Sequence, residues 1–108
     1  MTLRELEAQF LRWSDESTFH FQDGREGAQS IMFLCPGCYA RNGGAVGTHL
    51  ILVSFEGAGV PPEADRNPRW SVSGTGLDDL TLSPSISLGR TPGCGWHGFV
   101  QSGRTVDA

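Results

Sequence analysis

Residues 30–38 read SIMFLCPGC and residues 94–101 read CGWHGFVQ. The first segment places a C-x-x-C pair directly after an apolar, β-prone run, and the second places a C-x-x-H pair directly before another. Two intervening residues let a tight turn aim both side chains at one point, and Gly37 and Gly95 suit such turns. Two facing pairs supply three thiolates and one imidazole, which is the ligand set of a closed Cys3His zinc site. We therefore predict one structural Zn²⁺ held by Cys35, Cys38, Cys94 and His97.

Two features of this set leave alternatives open. His49 opens a strongly β-prone segment and competes with His97 for the fourth ligand position. The three cysteines are an odd number, so one disulfide would leave a thiol unpaired, and buried reduced thiols are the plain alternative to a metal site. A thioredoxin-like redox motif normally opens a helix, and residues 40–44 (ARNGG) do not favour one.

A catalytic zinc keeps one coordination position open for water, usually beside a general base. Four good ligands close that position, so we expect a structural ion. If the fourth ligand were absent, Asp78 or Asp79 is the candidate base of a zinc-dependent hydrolase, although adjacent acids in a glycine-rich turn are typically solvated.

Length and charge limit the class of protein. The chain has 108 residues, enough for one domain, and a formal net charge of −4. Its basic residues are all arginine, and the acidic balance argues against nucleic acid as a partner. Trp70 and Trp96 leave a single-stranded nucleic-acid binder as an alternative, through base stacking. Neither a membrane span nor a cleaved signal peptide is expected, because no apolar run is long enough.

The N-terminus follows a helical pattern. Thr2 and Glu5 form a capping-box sequence, and apolar residues recur at helical spacing. These apolar positions are Leu3, Leu6, Phe10 and Trp13. We therefore predict a helix over residues 3–13 within an N-terminal segment of residues 1–14.

The rest of the chain favours strands. The predicted strands are 18–21, 30–34, 48–55, 69–72, 80–82, 86–88, 97–101 and 104–106. The sequence thus predicts a small β-rich (α+β) single domain spanning residues 1–108. A zinc-ribbon-like antiparallel sheet occupies residues 30–106, and one short N-terminal helix precedes it.

Three segments together resemble a group of small phage and prophage proteins, some of which carry an ammonia-monooxygenase-like label. They are FLCPGCYARNGGAVGTH (33–49), RWSVSGTGLDDLTLSPSI (69–86) and GCGWHGFV (93–100), and the resemblance covers about residues 31–103. It implies a phage or prophage origin and a zinc ion bound by the residues predicted above, and it transfers no catalytic residue. No copper-type histidine cluster supports the ammonia-monooxygenase label.

These observations favour a phage-encoded structural-zinc protein that acts as a protein-interaction factor or as a virion or accessory component. Its expected partner is a phage or host protein, and its expected place is the host cytoplasm or the virion. The zinc-dependent hydrolase and the single-stranded nucleic-acid binder remain the alternatives.

Overall fold

The computed structural model describes residues 1–89 and 94–108. Within these ranges eight strands form two four-stranded antiparallel sheets, ordered β2-β1-β3-β4 and β5-β6-β7-β8. The elements are β1 (Gln9–Trp13), β2 (Phe19–Gln22), β3 (Ser30–Leu34), α1 (Pro36–Asn42), β4 (Leu50–Ser54), β5 (Ser71–Ser73), β6 (Thr81–Ser87), β7 (His97–Gln101) and β8 (Arg104–Asp107).

The core lies between the two sheets. Strand β3 is apolar from Ile31 to Leu34 because it sits inside its sheet, between β1 and β4, with four of its five residues buried. The largest fully buried side chains include Phe10, Phe33, Phe55, Leu80 and Val100, which come from both sheets. The β-rich, antiparallel, single-domain class predicted from the sequence is confirmed.

The predicted N-terminal helix is wrong. The Thr2–Glu5 capping box does form, since Glu5 N donates to Thr2 Oγ1 at 3.1 Å. Residues 3–7 form only turns and do not continue into a helix, because Glu7 takes a left-handed conformation (φ 55°) and Ala8 N donates back to Leu3 O at 3.0 Å. Residues 9–13 then form β1, whose backbone is paired on both sides by β2 and β3.

The one helix of the described chain lies where the sequence did not favour it. Pro36 occupies the first helical turn, and Gly43 ends the helix in the left-handed conformation (φ 70°). Residues 40–42 are therefore helical, contrary to the expectation from their composition. The C-x-x-C pair consequently straddles a strand-to-helix junction, with Cys35 at the N-cap and Cys38 in the first turn.

The chain crosses between the sheets next to β5. Trp70 forms a parallel bridge with Phe55, with Trp70 N donating to Ser54 O at 2.9 Å and Glu56 N donating to Trp70 O at 2.8 Å. This crossing fixes where the second sheet meets the first. Within residues 1–89 and 94–108, no helix is long and apolar enough to cross a membrane.

Candidate functional site

The three cysteines lie together with one histidine. The ligand atoms of Cys35, Cys38, His49 and Cys94 all lie within 4.8 Å of one another. Cys94 Sγ is 3.5 Å from Cys35 Sγ, 3.7 Å from Cys38 Sγ and 3.4 Å from His49 Nε2. No disulfide joins the cysteines. The cluster is compatible with one metal site.

Strand pairing places His49 in this cluster. Strands β3 and β4 pair with Leu34 opposite Leu50, so the next pair outward is Cys35 opposite His49. Cys35 N donates to His49 O at 2.9 Å, which continues the ladder by one step. Cys94 reaches the cluster from the other sheet, so the site ties the two sheets together.

The thiols of the cluster differ in their electrostatic surroundings. Burial raises the pKa of Cys35 to about 12, against the lowering effect of a hydrogen bond from the Cys38 amide. Burial also opposes ionisation of Cys94, but hydrogen bonds from the Trp96 amide and from His49 lower its pKa to about 6. Arg41 Nη2 donates to Cys38 Sγ at 3.2 Å. These surroundings therefore favour the thiolate at Cys94, as metal binding requires, and disfavour it at Cys35.

His97 lies outside the cluster. It is the first residue of β7, in which Gly98 and Val100 are buried against the core, so strand alternation points His97 to the opposite, solvent-facing side of the sheet. There His97 Nε2 is 3.0 Å from Ser85 Oγ. The structure thus brings together Cys35, Cys38 and Cys94 with His49, and it pairs His97 with a serine.

Ser85 lies in an irregular part of β6. Leu82 pairs with Val100 and Ile86 with Gly98, so three residues of β6 oppose one residue of β7. The extra residues form a bulge, which re-aims the side chains that it carries. On the side toward β5, Trp70 Nε1 donates to Ser85 O at 3.4 Å. Ser85 is half-buried and His97 is exposed, so the pair faces solvent.

Trp96 connects the metal-ligand cluster to this pair. Its buried indole lies against Gly37, where an added Cβ would come within 3.2 Å of the ring, and its Nε1 donates to Asp107 Oδ1 at 2.8 Å. Cys94 and His97 are separated only by Gly95 and this tryptophan. One short segment therefore carries a cysteine of the cluster and the histidine of the Ser–His pair.

The acids considered as catalytic bases are engaged elsewhere. Asp78 forms an ion pair with Arg4 (2.7 Å), and Asp79 accepts hydrogen bonds from the amides of Thr75 and Gly76. Both carboxyl groups have lowered pKa values, chiefly through the side-chain hydrogen bond from Arg4 and the backbone hydrogen bond from Gly76, respectively. They stabilise the loop before β6 and lie outside the cluster.

Trp70 and Trp96 do not form an exposed stacking platform. Trp96 is 7% exposed, and Trp70 is half-buried with its indole nitrogen directed at Ser85. The base-stacking alternative therefore loses the two side chains on which it depended.

Sequence reasoning missed Ser85. The stretch TLSPSIS (81–87) predicts two short strands around a proline, and no spacing rule links a serine there to a histidine twelve residues later. The available signal was the alternation of β7, which sets His97 on the face opposite Gly98 and frees it for a partner across the strand pair.

Comparison with known proteins assigns the chain to a family. A family model described as bacterial ubiquitination-like system serine protease (BubE) matches residues 5–107. No curated protein and no solved structure matches the chain. The family match overturns the expectation of a phage structural or virion protein, which rested on motif resemblance alone. Because the match covers nearly the whole sequence, the chain belongs to the family of bacterial ubiquitination-like system serine proteases (BubE).

Proposed function

We propose that this protein is a serine protease of a bacterial ubiquitination-like system, with Ser85 as the nucleophile and His97 as the general base. The observation that carries the proposal is the 3.0 Å contact between Ser85 Oγ and His97 Nε2 on a solvent-facing surface. A nucleophile and its base must lie within about 2.6–3.2 Å, and this pair does. Among the hydrogen bonds of residues 1–89 and 94–108, no other serine hydroxyl pairs with a histidine ring.

The pair supports acyl transfer in two steps. Ser85 Oγ attacks the carbonyl carbon of the scissile amide while His97 Nε2 takes the hydroxyl proton. His97 then gives that proton to the departing amine, so the C–N bond breaks and an acyl ester remains on Ser85. In the second step His97 takes a proton from water, whose oxygen attacks the ester; the bond to Ser85 Oγ then breaks, His97 returns the proton to this oxygen, and the acid is released. No carboxylate of the described residues bonds to His97, so the proposed machinery is a dyad.

Two contacts hold the dyad in place. Trp70 bonds the Ser85 carbonyl, and the Phe99 ring lies beside the His97 imidazole with centroids 6.5 Å apart. Both contacts leave Ser85 Oγ and His97 Nε2 free to face a substrate. In a ubiquitination-like system the substrate class that fits such a pair is the amide bond of a ubiquitin-like protein, in its precursor or in its conjugates.

We assign the cysteine–histidine cluster to one structural Zn²⁺ bound by Cys35, Cys38, His49 and Cys94. A tetrahedral zinc with metal–sulfur bonds of about 2.3 Å separates its sulfurs by about 3.8 Å and a sulfur from an imidazole nitrogen by about 3.6 Å. The 3.5 and 3.7 Å sulfur contacts and the 3.4 Å nitrogen contact fit this geometry. Four ligands leave no open position, so zinc supplies folding stability and the serine supplies the chemistry.

The test is active-site labelling with a fluorophosphonate, which reacts covalently with activated serines. The purified protein should be labelled once per chain, and mass spectrometry should place the label on Ser85. Ser85→Ala should abolish labelling and hydrolysis of a ubiquitin-like protein carrying a C-terminal extension. Ser83→Ala is the matched control, since Ser83 lies on the same strand just before Pro84 and should keep both activities. Labelling that survives in Ser85→Ala, or a label on another serine, would refute the assignment.

A further inference from the structure

Strand β6 has an uncovered edge beside Ser85. Strand β5 pairs with only the first half of β6, from Ser73 opposite Thr81 to Ser71 opposite Ser83. Beyond Ser83, no strand of residues 1–89 or 94–108 pairs with this side of β6. Among the described residues, the edge from residue 84 to residue 87 therefore has no strand paired to it, and only the Trp70 indole bonds it, at Ser85.

The crossing between the sheets explains why this edge is open. Moving backwards from Ser71, the chain reaches Trp70, which already pairs with Phe55 of the first sheet instead of continuing along β6. Trp70 sends only its indole nitrogen back to β6, where it donates to Ser85 O. The backbone that would have covered residues 84–87 is thus diverted to the other sheet.

The pairing on the other side of β6 shows which backbone groups face the open edge. Leu88 N donates to Trp96 O at 2.7 Å, and Ile86 pairs with Gly98, so these two even-numbered residues direct their amides and carbonyls toward β7. Successive residues of a strand alternate in this direction. The N–H and C=O of Ser87 therefore point toward the open edge, as does the Ser85 carbonyl that Trp70 occupies.

We propose that this edge binds the substrate as an added β-strand, so that the protease takes an extended, flexible segment across Ser85. The inference rests on the proposed function and adds the substrate's conformation to it. The backbone of Ser87 offers one donor and one acceptor to the incoming strand. Since an indole already bonds the Ser85 carbonyl, pairing is anchored at Ser87, and the scissile bond lies further along, beside Ser85.

Distance favours an extended chain as the occupant. A paired strand lies about 4.8 Å from its neighbour, which brings its carbonyl groups close to a side chain at the edge of the adjoining strand. Ser85 lies on the strand that borders this edge, with its Oγ 3.0 Å from His97 Nε2 on β7. An extended tail uses main-chain hydrogen bonds and needs no folded surface, as in other cases of strand addition to a sheet edge. The substrate class is therefore an unstructured tail of a ubiquitin-like protein.

The experiment uses the unaltered protein and a free eight-residue peptide from the C-terminal tail of the system's ubiquitin-like protein, ending in a fluorogenic coumarin amide. Each amide of the peptide is methylated in turn, which removes one donor. We expect kcat/KM to fall about tenfold or more when the one N–H that pairs with the Ser87 carbonyl is methylated, and to stay within about twofold at the two neighbouring residues, whose N–H groups point away from β6. A second series replaces the same amides with esters, which remove the donor without added bulk, and should show the loss at the same residue.

Each possible result either supports or refutes strand addition at this edge. A loss at one residue with insensitive neighbours on both sides, at the same position in both series, supports strand addition. Equal sensitivity at all positions, sensitivity at two or more contiguous residues, or methylation effects that the esters do not reproduce would overturn it. Protein that reacts with the fluorophosphonate but does not cleave the free peptide would also overturn it, because an added strand needs no folded modifier. Protein that does not react with the fluorophosphonate at all would instead refute the proposed function.

Discussion

Replacing His49 and His97 one at a time should show that the proposed metal site and the proposed catalytic pair are separate. His49 Nε2 lies 3.4 Å from Cys94 Sγ in the cluster, whereas His97 Nε2 lies 3.0 Å from Ser85 Oγ on the outer face of the second sheet. His49→Ala should therefore weaken zinc binding. His97→Ala should leave zinc binding as it is and remove the base that activates the serine.

The size of each effect follows from the site. Structural zinc sites contribute about 10–16 kcal/mol, and an equal share for one of four ligands is about 2.5–4 kcal/mol, or roughly 10²- to 10³-fold in Kd. Loss of the histidine of a serine protease lowers kcat by about 10⁴-fold or more. His97→Ala should therefore fall to near-background hydrolysis while it still binds one zinc per chain.

The assay is a chelator competition for zinc affinity, run beside the rate of fluorophosphonate labelling. His20→Ala is the matched control, because His20 is an exposed histidine on β2 that belongs to neither site, and it should match the unaltered protein in both measurements. Excess zinc should restore labelling in His49→Ala and should not restore it in His97→Ala. The assignment of His49 as a zinc ligand and of His97 as the base is wrong if His97→Ala loses zinc affinity as His49→Ala does. It is also wrong if the Kd of His49→Ala for zinc stays within about threefold of that of the unaltered protein.

Three further results are expected. Gly98→Ala should lower Tm by about 5 °C or more in differential scanning calorimetry, since a Cβ there would lie 2.4 Å from a Trp96 ring carbon. Gly24→Ala meets no atom within 4 Å and should change Tm little, and equal losses in both would contradict this packing effect. Asp79→Asn should destabilise the fold at neutral pH, because the folded state stabilises the charged carboxylate. The pKa of Asp79 lies below its ordinary 3.8, and the largest cause is the backbone hydrogen bond from Gly76. This stability is present above pH 3.8 and is lost as the pH falls through the lowered pKa, so denaturation curves of the two proteins should converge in acid; a constant difference would exclude the charge as the cause. Removing zinc with a chelator at pH 7 should lower both Tm and the labelling rate, with recovery on adding zinc back. An unchanged labelling rate would show that the metal does not position the dyad.

The strands could be predicted because their local patterns agree with their environment. Residues 31–34 form a continuous apolar run, and that run lies in the central strand β3, which is largely buried on both faces. The N-terminal helix could not be excluded, because Leu3, Leu6 and Phe10 satisfy helical spacing and are also all buried in the observed fold. Only the pairing of residues 9–13 with two neighbouring strands decides between the two, and such long-range pairing is invisible in a local pattern.

The site divides in the same way. Short-range spacing paired Cys35 with Cys38 and Cys94 with His97, and the structure brings the three cysteines together but leaves His97 outside. The choice between His49 and His97 depends on register and on strand alternation. Cys35 faces His49 because β3 and β4 pair with Leu34 opposite Leu50. His97 was preferred because it lies only three residues after Cys94, and that separation carries no information about the register of β3 and β4.

The proposed metal affects the reaction only indirectly, by fixing the position of the backbone that carries His97. His97 is exposed, and its ring contacts are Ser85 and Phe99, so its position depends mainly on the start of β7. That start is held by Cys94 in the cluster and by Trp96, whose indole packs on Gly37 of the C-x-x-C turn. A catalytic base displaced by about 1 Å loses about 10²-fold in rate. A dyad on the surface of a sheet therefore needs a rigid anchor a few residues away, and in the proposed mechanism a four-ligand zinc is that anchor and takes no part in bond cleavage.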